Sequence, residues 1–389
     1  MERKFIPLSV PNLKGKELEY VTHAVETEWV STGGPYVDEF EDKITQYVNA
    51  RGAVSCQNGT SGLHIALQVC GVTKEDEVIV PALTFIAAVN PVKYIGAEPI
   101  FMDCDDSLTM DADKLLEFCQ NECSYVDGRL LNNKTMKQIK AIVVVHVFGN
   151  MADMEKIMNI ADKFNLKVVE DATEAIGTYY LTGKYKDFFA GTIGTVGVYS
   201  FNGNKIITTG GGGMIVSNDE EILKKSKHLT TQAKSDELYY THDEIGYNYR
   251  MTNLQAALGL AQLEQLEMFI DIKTENYNLY KEKINEIKGL SILNFNENIR
   301  SNHWFYSLQC NNDYPISRDE VIKYLADNKI QSRPIWGLIN EQRPYIGCQT
   351  FKIEKAKYYI ERIVNIPCSS NLAKDDLLYV VECLKNMQF

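Results

Sequence analysis

The sequence predicts an α/β fold in which a large domain, with a mostly parallel central sheet flanked by helices, precedes a smaller α+β domain. Three observations favour this class. The length of 389 residues exceeds the usual size of one domain. Short apolar runs alternate with segments of helical periodicity up to about residue 217. Helical segments dominate after that point, so we expect one domain at residues 1–265 and a second at 266–389.

The first half of the chain alternates strands with helices, which is typical of βαβ units and a parallel sheet covered on both faces. Strands are predicted at 53–56, 77–80, 99–102, 141–148, 166–169, 197–201 and 213–216. Apolar residues at helical spacing predict helices at 60–70, 85–94 and 153–164.

The second half of the chain is dominated by helical periodicity. Ser317 is predicted to be the N-cap of one of these helices, the one at 317–328, because serine often caps helix N-termini. Alternating apolar residues predict strands at 290–293 and 304–309. The predicted helices are 220–229, 254–266, 269–287, 317–328 and 375–385.

Charge and composition exclude several classes of protein. The 52 acidic and 40 basic residues give a net charge of −12, which argues against nucleic acid as a partner because phosphate backbones need clustered Lys and Arg. The best apolar run, at 141–148, is far shorter than the roughly 20 residues that cross a bilayer. The polar start of the chain lacks the apolar core of a signal peptide, so we expect a cytoplasmic protein without membrane association.

The cysteines and acidic residues predict neither disulfides nor a metal site. The nine Cys form no CxxC pair and are odd in number, so we expect reduced thiols. The five Asp between positions 103 and 113 lack the Gly and terminal Glu of an EF-hand, and we expect a solvated loop there.

The segment Asn58-Gly-Thr-Ser-Gly62 leads directly into a predicted helix. Small residues let a ligand approach the backbone, Thr60 and Ser61 add hydroxyls, and the first turn of a helix offers free N–H groups. This combination is typical of a phosphate site. The alternative is simple helix capping by Thr60 or Ser61.

Two further residues carry reactive groups just after predicted strands. Asp171 lies at the strand end where parallel sheets bind ligands, and the alternative is that it caps the next helix. Lys205 follows another strand and precedes four glycines at 210–213, although a lone lysine in a loop is usually solvated. The glycines are not a dinucleotide motif, because a strand rather than a helix follows them.

Taken together, these features match the needs of one cofactor, pyridoxal phosphate. Its phosphate needs an anion cradle, its ring nitrogen needs a carboxylate, and its aldehyde needs a lysine. The order along the chain is phosphate segment, Asp171, then Lys205. That order is the layout of a fold-type I pyridoxal-phosphate enzyme.

The chain resembles the DegT/DnrJ/EryC1/StrS family of sugar aminotransferases over nearly its full length. Eight motifs carry the resemblance, and they occur in order. They are Pro7-Leu-Ser with Trp29-Val-Ser-Thr-Gly33, Asn58-Gly-Thr-Ser-Gly-Leu-His64, Pro81-Ala-Leu-Thr-Phe85, His146-Val-Phe-Gly149, Glu170-Asp-Ala-Thr-Glu174, the segments 200–205 and 208–214, and Gly246-Tyr-Asn-Tyr-Arg250.

The resemblance implies a cofactor-binding role for nine residues. They are Gly59, Thr60, Ser61 and Ser200 at the phosphate, Phe85 on the ring face, Asp171 at the ring nitrogen, Glu174 near the ring oxygen, Lys205 as the catalytic Schiff-base lysine, and Asn248 at the cofactor of a neighbouring subunit. The contact from Asn248 implies a homodimer with composite active sites. The family often has Gln or His at position 174, and a carboxylate there must be protonated or paired to avoid repelling the ring oxygen.

The resemblance also implies amino transfer from L-glutamate to a nucleotide-linked keto-deoxy sugar, by a ping-pong mechanism through Lys205. The sequence Asp171-Ala-Thr-Glu174 is similar to the branch acting on UDP-linked 4-keto-6-deoxy-HexNAc sugars in legionaminic-acid-type pathways. Several residues stand where the family contacts sugar or nucleotide, although Trp304 has the alternative of a core position. They are Ser31, Thr32, Lys184, His303, Trp304, Arg333 and Trp336.

Three alternative functions stay open. The first is a pyridoxal-phosphate-dependent sugar dehydratase, although relatives of that kind carry His at the Schiff-base position, where this chain has Lys205. The second is a 3-keto sugar aminotransferase. The third is a non-catalytic regulatory protein, which the full catalytic set and the acidic charge disfavour.

Overall fold

A computed structural model of the chain describes residues 4–236 and 238–387. Its helices are α1 (Glu17–Glu26), α2 (Pro35–Tyr47), α3 (Gly59–Val69), α4 (Asn90–Ile95), α5 (Ala112–Asn121), α6 (Met154–Phe164), α7 (Glu220–Thr230), α8 (Asn253–Leu263), α9 (Leu266–Ile284), α10 (Arg318–Asp327), α11 (Lys355–Ile360) and α12 (Lys374–Asn386). Its strands are β1 (Gly52–Cys56), β2 (Glu77–Pro81), β3 (Glu98–Met102), β4 (Cys123–Val126), β5 (Arg129–Asn132), β6 (Gln138–Val145), β7 (Lys167–Asp171), β8 (Tyr179–Tyr180), β9 (Val196–Ser200), β10 (Gly213–Ser217), β11 (Lys234–Asp236), β12 (Thr241–His242), β13 (Leu290–Ile292), β14 (Ile299–Arg300), β15 (Tyr306–Cys310), β16 (Arg333–Pro334), β17 (Gln349–Phe351) and β18 (Ile363–Ile366).

The centre of the molecule is a mixed sheet of ten strands in which most neighbours are parallel. Its main path runs β1-β10-β9-β7-β6-β2-β3-β17, and the β4–β5 hairpin attaches to β6. The pairs from β17 through β3, β2, β6 and β7 to β9 are all parallel, whereas β10 is antiparallel to both of its neighbours. The predicted α/β class with a mostly parallel sheet is confirmed.

Both faces of this sheet are covered, as near-continuous apolar strands require. In β2, Val78 and Val80 belong to one apolar cluster, while Ile79 belongs to the other. In β3, Phe101 lies in the first cluster and Ile100 in the second. Successive side chains point to opposite faces of a strand, so each of these strands contributes to two cores.

The C-terminal part forms a second sheet and also returns to the first. Strands β13, β15, β18 and β16 make a four-stranded antiparallel sheet flanked by α9, α10 and α12. Strand β17 instead pairs in parallel with β3, with Gln349 opposite Ile100. One strand of the proposed second domain thus extends the sheet of the first, and the boundary at residue 265 stays a prediction.

The prediction of a solvated acidic loop is wrong for Asp103. Its carboxylate is buried and accepts the N–H groups of Glu354, Lys355 and Ala356 at 2.8–2.9 Å. It also pairs with the Nζ atom of Lys114 at 2.7 Å. The spacing of the Asp residues could not reveal this role, because the three N–H donors lie far along the chain at the start of α11.

One predicted helix is wrong, and several elements of the structure were not predicted. The predicted helix at 85–94 is divided into a 3-10 turn (Ile86–Ala88) and α4, which has Pro91 in its first turn. Proline lacks an N–H and disfavours helical geometry in the residue before it, which explains the break. The helices α1, α2 and α5 and the β4–β5 hairpin were not predicted.

The predicted helix cap at Ser317 is confirmed, and two further features of the described chain concern its cysteines and its helices. Ser317 caps α10, and its hydroxyl accepts the N–H of Glu320 at 3.4 Å. The nine cysteines form no disulfide with one another. No helix within residues 4–236 and 238–387 is both long and apolar enough to cross a membrane.

Candidate active site

A cavity of about 370 Å³ lies where three parallel strands end. The last residues of β6, β7 and β9 are Val145, Asp171 and Ser200, and all three line it. This is the edge at which open parallel sheets bind ligands. Nine of the predicted site residues come together here: Gly59, Thr60, Phe85, Asp171, Glu174, Ser200, Lys205, Trp304 and Trp336.

The first turn of α3 forms one end of the cavity. Asn58 caps this helix through its Oδ1 atom, which accepts the N–H of Ser61 at 2.8 Å. Helix geometry leaves the N–H groups of Gly59 and Thr60 without partners inside the helix, so they can bind an anion. The Ser61 hydroxyl is turned back and donates to the Asn58 carbonyl at 2.7 Å, and Ser61 is not among the lining residues.

Gly59 brings this helix into close contact with the strand ends. A Cβ atom on Gly59 would lie 3.0 Å from both the Cβ of Ser200 and the Cγ2 of Thr173. A side chain there would push α3 away from β9. The absence of a side chain therefore keeps the hydroxyl of Ser200 beside the N-terminus of α3, which is the arrangement that a phosphate requires.

Asp171 provides a buried carboxylate on the floor of the cavity. Its Oδ1 accepts the N–H of Thr173 at 3.1 Å. Burial raises the pKa of Asp171, and the Thr173 hydrogen bonds and the charges of Lys205 and His146 oppose that shift. A cationic partner such as a protonated ring nitrogen would stabilise the ionised form.

Lys205 reaches the cavity from the segment after β9. Its Nζ atom lies 3.8 Å from Oε1 of Glu174 and 4.1 Å from the centre of the Trp304 ring. Burial lowers the pKa of Lys205, although Glu174 and Asp171 oppose the shift. A lowered pKa increases the share of neutral amine, which is the nucleophilic form.

Glu174 is buried beside this lysine. Its Oε2 accepts the backbone N–H of Phe148 at 2.8 Å. Phe148 has a φ of 57°, in the left-handed region, within the tight turn that follows β6. Burial raises the pKa of Glu174 to about 7, and Lys205 and the Phe148 N–H oppose the shift.

Aromatic rings form the remaining wall of the cavity. Phe85 is 54% exposed, and its ring centre lies 6.5 Å from that of Trp336. Trp304 stacks on Phe305 with ring centres 4.0 Å apart, and its indole N–H donates to the Asn204 carbonyl at 2.8 Å. Trp304 is thus a buried residue, as its core alternative predicts, and it still lines the cavity.

The pair His146 and Glu170 lies next to Asp171, and no functional role was predicted for either residue. The Nδ1 of His146 accepts the N–H of Ala152 at 3.3 Å, so its Nε2 carries the proton that it donates to Glu170 at 2.8 Å. The backbone N–H of His146 donates to the Asp171 carbonyl at 3.1 Å. The sequence did contain a signal for this pair. His146 lies near the end of one predicted strand and Glu170 at the end of the next, and neighbouring parallel strands end at the same edge of a sheet, so their side chains could be expected to meet.

Glu170 is held by the segment that precedes β9. Its carboxylate accepts the N–H groups of Gly191 at 2.9 Å and Ile193 at 2.7 Å, and also that of Gly194. Four donors around a fully buried carboxylate make this a rigid support. The pair therefore fixes the backbone from which Asp171 projects.

The structure does not bring six predicted site residues to the cavity. Thr32 lines a separate pocket of about 220 Å³ that Arg250 also lines. His303 lies between the rings of Tyr277 and Phe295, each 4.5 Å from it between ring centres. The other four are exposed: Ser31, Lys184, Asn248 and Arg333.

The groups that line the cavity suit a phosphorylated pyridine aldehyde. A helix N-terminus and two hydroxyls, from Thr60 and Ser200, suit a phosphate at one end. Asp171 suits a ring nitrogen, and the partly buried amine of Lys205 suits an aldehyde. The missing side chain at Gly59 lets this helix end lie close to the Ser200 hydroxyl.

Comparisons with known proteins agree with this arrangement. The sequence profile of the DegT/DnrJ/EryC1/StrS aminotransferase family matches residues 11–385. The GDP-perosamine synthase of Escherichia coli O157:H7 is 38% identical over 381 residues, covering 98% of each chain. The UDP-4-amino-4,6-dideoxy-N-acetyl-beta-L-altrosamine transaminase of Campylobacter jejuni is 27% identical over 385 residues, covering 97% of this chain and 96% of its own.

A solved structure matches the fold over almost the whole chain. The X-ray structure of an aminotransferase from Psychrobacter cryohalolentis has a TM-score of 0.86 and 27% sequence identity, and the match covers 99% of both chains.

Proposed function

Because the chain belongs to the DegT/DnrJ/EryC1/StrS aminotransferase family, we propose that the cavity around Lys205 is where it moves an amino group from L-glutamate to a keto sugar carried on a nucleotide. The protein is a pyridoxal-phosphate-dependent sugar aminotransferase. The single observation that supports the site is the meeting of Lys205, Asp171 and the α3 N-terminus in one cavity.

Each part of the cavity has a proposed role in holding the cofactor. The α3 N-terminus, with the backbone N–H groups of Gly59 and Thr60 and the hydroxyls of Thr60 and Ser200, binds the phosphate. Asp171 pairs with the ring nitrogen, Phe85 covers the ring face, and Glu174 lies near the ring oxygen. When bound, pyridoxal phosphate supplies an electron sink that eases breaking of a C–H bond next to an amine.

Lys205 has two proposed tasks, as the covalent anchor and as the base. As a neutral amine it removes the proton from the α-carbon of L-glutamate, and as an ammonium group it returns a proton in the second half-reaction. Burial, which lowers the pKa of Lys205, favours the amine form near neutral pH. The aromatic wall around Trp304 and Phe305 limits the access of water to this proton.

The proposed acceptor is a UDP-linked 4-keto-6-deoxy-HexNAc. The sequence Asp171-Ala-Thr-Glu174 and the transaminase of Campylobacter jejuni, named for a UDP-linked amino sugar, support it. A GDP-linked keto sugar is the second candidate, since the relative at 38% identity is a GDP-perosamine synthase. A turnover assay with L-glutamate and a panel of UDP-, GDP- and dTDP-linked keto sugars, with NMR of the product, distinguishes them.

The arrangement around Asn248 supports a homodimer with shared sites. The hydroxyl of Tyr247 accepts from Gln68 at 2.6 Å and that of Tyr249 lies 3.3 Å from Nδ1 of His64, both on α3. Asn248 lies between these two tyrosines in the chain and is exposed. We propose that it reaches the cofactor phosphate of a second copy.

Charge in the cavity supports the same proposal. Among the residues described at 4–236 and 238–387, Lys205 is the only cation that lines the cavity. The cofactor phosphate and the diphosphate of a nucleotide sugar are both anionic. The positive charge and hydrogen-bond donors that these anions need would come from a second copy and from the exposed Lys184 and Arg333.

The variant Lys205→Ala tests the core of this proposal. We expect it to give no repeated turnover with L-glutamate and any sugar of the panel, because both the anchor and the base are lost. The variant Lys224→Ala, at an exposed lysine on α7, serves as the control and keeps wild-type turnover. Repeated turnover by Lys205→Ala would show that the assignment is wrong.

A further inference from the structure

Buried Glu174 and partly buried Lys205 form an acid–base pair whose role the family pattern does not supply. We propose that Glu174 exchanges a proton with Lys205 and is thus a second acid–base residue of the reaction. The inference rests on the proposed function of Lys205. It is specific to chains with a carboxyl group at this position, where the family often has Gln or His.

The two oxygens of Glu174 have different surroundings. Oε2 accepts the Phe148 N–H at 2.8 Å, so it must keep its lone pair as an acceptor. A proton on Glu174 therefore belongs on Oε1, the atom that lies 3.8 Å from Nζ of Lys205. That distance is longer than a direct hydrogen bond, and a small side-chain rotation or one bridging water closes it.

Burial favours the uncharged form of both groups. It raises the pKa of Glu174 to about 7 and lowers the pKa of Lys205. The other charged group facing the pair is Asp171, behind which lies His146. The negative charge of Asp171 opposes ionisation of Glu174, which adds to the effect of burial.

The exchange itself is balanced within the pair. When Lys205 is an ammonium group, an N–H bond at Nζ breaks and an O–H bond forms at Oε1. The pair keeps the same net charge, passing from an ion pair to a neutral amine and a neutral acid. Lys205 thereby regains the amine form needed to remove a proton from the amino donor without exchange with bulk water.

The first test measures the titration of Lys205 in protein freed of its cofactor. The rate at which the lysine captures added pyridoxal phosphate, followed by visible absorbance, rises with pH as the amine loses its proton. In Glu174→Gln the midpoint should fall by about one to three pH units, because a nearby carboxylate no longer stabilises the ammonium form. Gln keeps the size of the side chain and an oxygen for the Phe148 N–H.

The matched control is Glu77→Gln. Glu77 is also a buried glutamate whose pKa is raised by burial, and it accepts a hydrogen bond from Asn132 at 2.7 Å outside the cavity. This variant should keep the wild-type midpoint. An unchanged midpoint in Glu174→Gln would overturn the proposal.

A second measurement follows the titration in the wild-type protein and uses a variant only to assign the resonance. In wild-type protein labelled with ¹³C at the glutamate carboxyls, one buried carboxyl resonance should titrate near neutral pH and respond again as Lys205 titrates. Its assignment is confirmed by its loss in Glu174→Gln. A Glu174 carboxyl that stays ionised between about pH 5 and pH 9 would overturn the proposal.

These measurements are independent of the sugar. If the protein captures pyridoxal phosphate with the expected dependence on Glu174 but aminates no nucleotide sugar, the proposed function fails and the proton exchange stands. If the protein aminates a sugar but the midpoint is the same in Glu174→Gln and wild type, the proposed function stands and the proton exchange fails.

Discussion

His303 is a residue whose environment determines its charge. It lies between two aromatic rings, those of Tyr277 and Phe295, inside the C-terminal part. Burial, with the charges of Lys273, Arg300 and Lys281 adding to it, lowers the pKa of His303 from the usual 6.5 to about 3. The folded protein therefore holds this imidazole neutral over the range in which an unfolded chain would protonate it.

We expect this difference to make stability depend on pH. Below pH 6.5, His303 is protonated in the unfolded chain but stays neutral in the folded protein. The free energy of unfolding therefore falls as the pH is lowered towards 3, by up to about 1.4 kcal/mol per pH unit. In His303→Asn this contribution is absent and the fall is shallower. Urea unfolding between about pH 7 and pH 5 measures both slopes. The exposed His242→Asn is the control, and equal slopes in wild type and His303→Asn would contradict the prediction.

At this scale the sequence predicted the residues near the reaction better than those far from it. Asp171 and Lys205 follow strands, so their position at one edge of the sheet follows from the topology alone. His303 was assigned to the sugar from the family resemblance, and the structure does not bring it to the cavity. Side-chain placement in the second half of the chain depends on tertiary packing, which local periodicity does not encode.

Helix α3 is the element on which the cofactor end of the cavity depends. Its first turn carries Gly59 and Thr60, and its body contacts β9 and β10. The sequence predicted its position within a residue or so, because its capping residues and apolar spacing are both local signals. It could not predict that Ser61 would turn its hydroxyl back to Asn58.

We expect Gly59→Ala to weaken cofactor binding. The new Cβ would lie 3.0 Å from Ser200 and Thr173 atoms, so the first turn of α3 must shift from the strand ends. A rise in the dissociation constant of pyridoxal phosphate of about tenfold or more is the expected result, since phosphate contacts need hydrogen-bond distances. Equilibrium dialysis measures it. Gly33→Ala, where a Cβ meets no atom within 4 Å, should bind as wild type does, and equal affinity in both variants would contradict the prediction.

The junction at the start of α11 is a second element-scale feature. Burial alone would raise the pKa of Asp103, but Lys114 and three backbone N–H groups hold it below its usual range. We expect Asp103→Ala to lower the free energy of unfolding by about 2–4 kcal/mol, since it leaves the three backbone N–H donors without their acceptor and removes one of the two carboxylates that pair with Lys114. Chemical denaturation measures the change. Asp113→Ala removes an exposed pair with Lys156 and should cost less than about 1 kcal/mol. Similar losses in the two variants would argue against this role.

At the scale of the whole molecule, the proposed second copy can be tested by mixing variants. Lys205→Ala and Asn248→Ala should each be inactive or weak as pure proteins. When they are mixed and allowed to exchange subunits, half of the dimers combine both variants, and one of the two sites in each carries neither change. About a quarter of wild-type activity should return if sites are shared in this way. No gain on mixing, with exchange confirmed by native mass spectrometry, would count against composite sites.

The overall α/β layout could be predicted because strands that alternate with helices allow few topologies. The edge position of β17 could not be predicted, because a three-residue strand is too short to show alternating apolar residues and its partner β3 lies far earlier in the chain.

The place of β17 has a consequence for how the protein is made. A nascent chain that has released only residues 1–265 would display β3 as a bare edge, with backbone groups open to any other extended chain. The late arrival of β17 closes that edge. Translation of the last segment therefore protects residues 1–265 from aggregation during synthesis, and a chain shortened before residue 349 would be expected to need a chaperone.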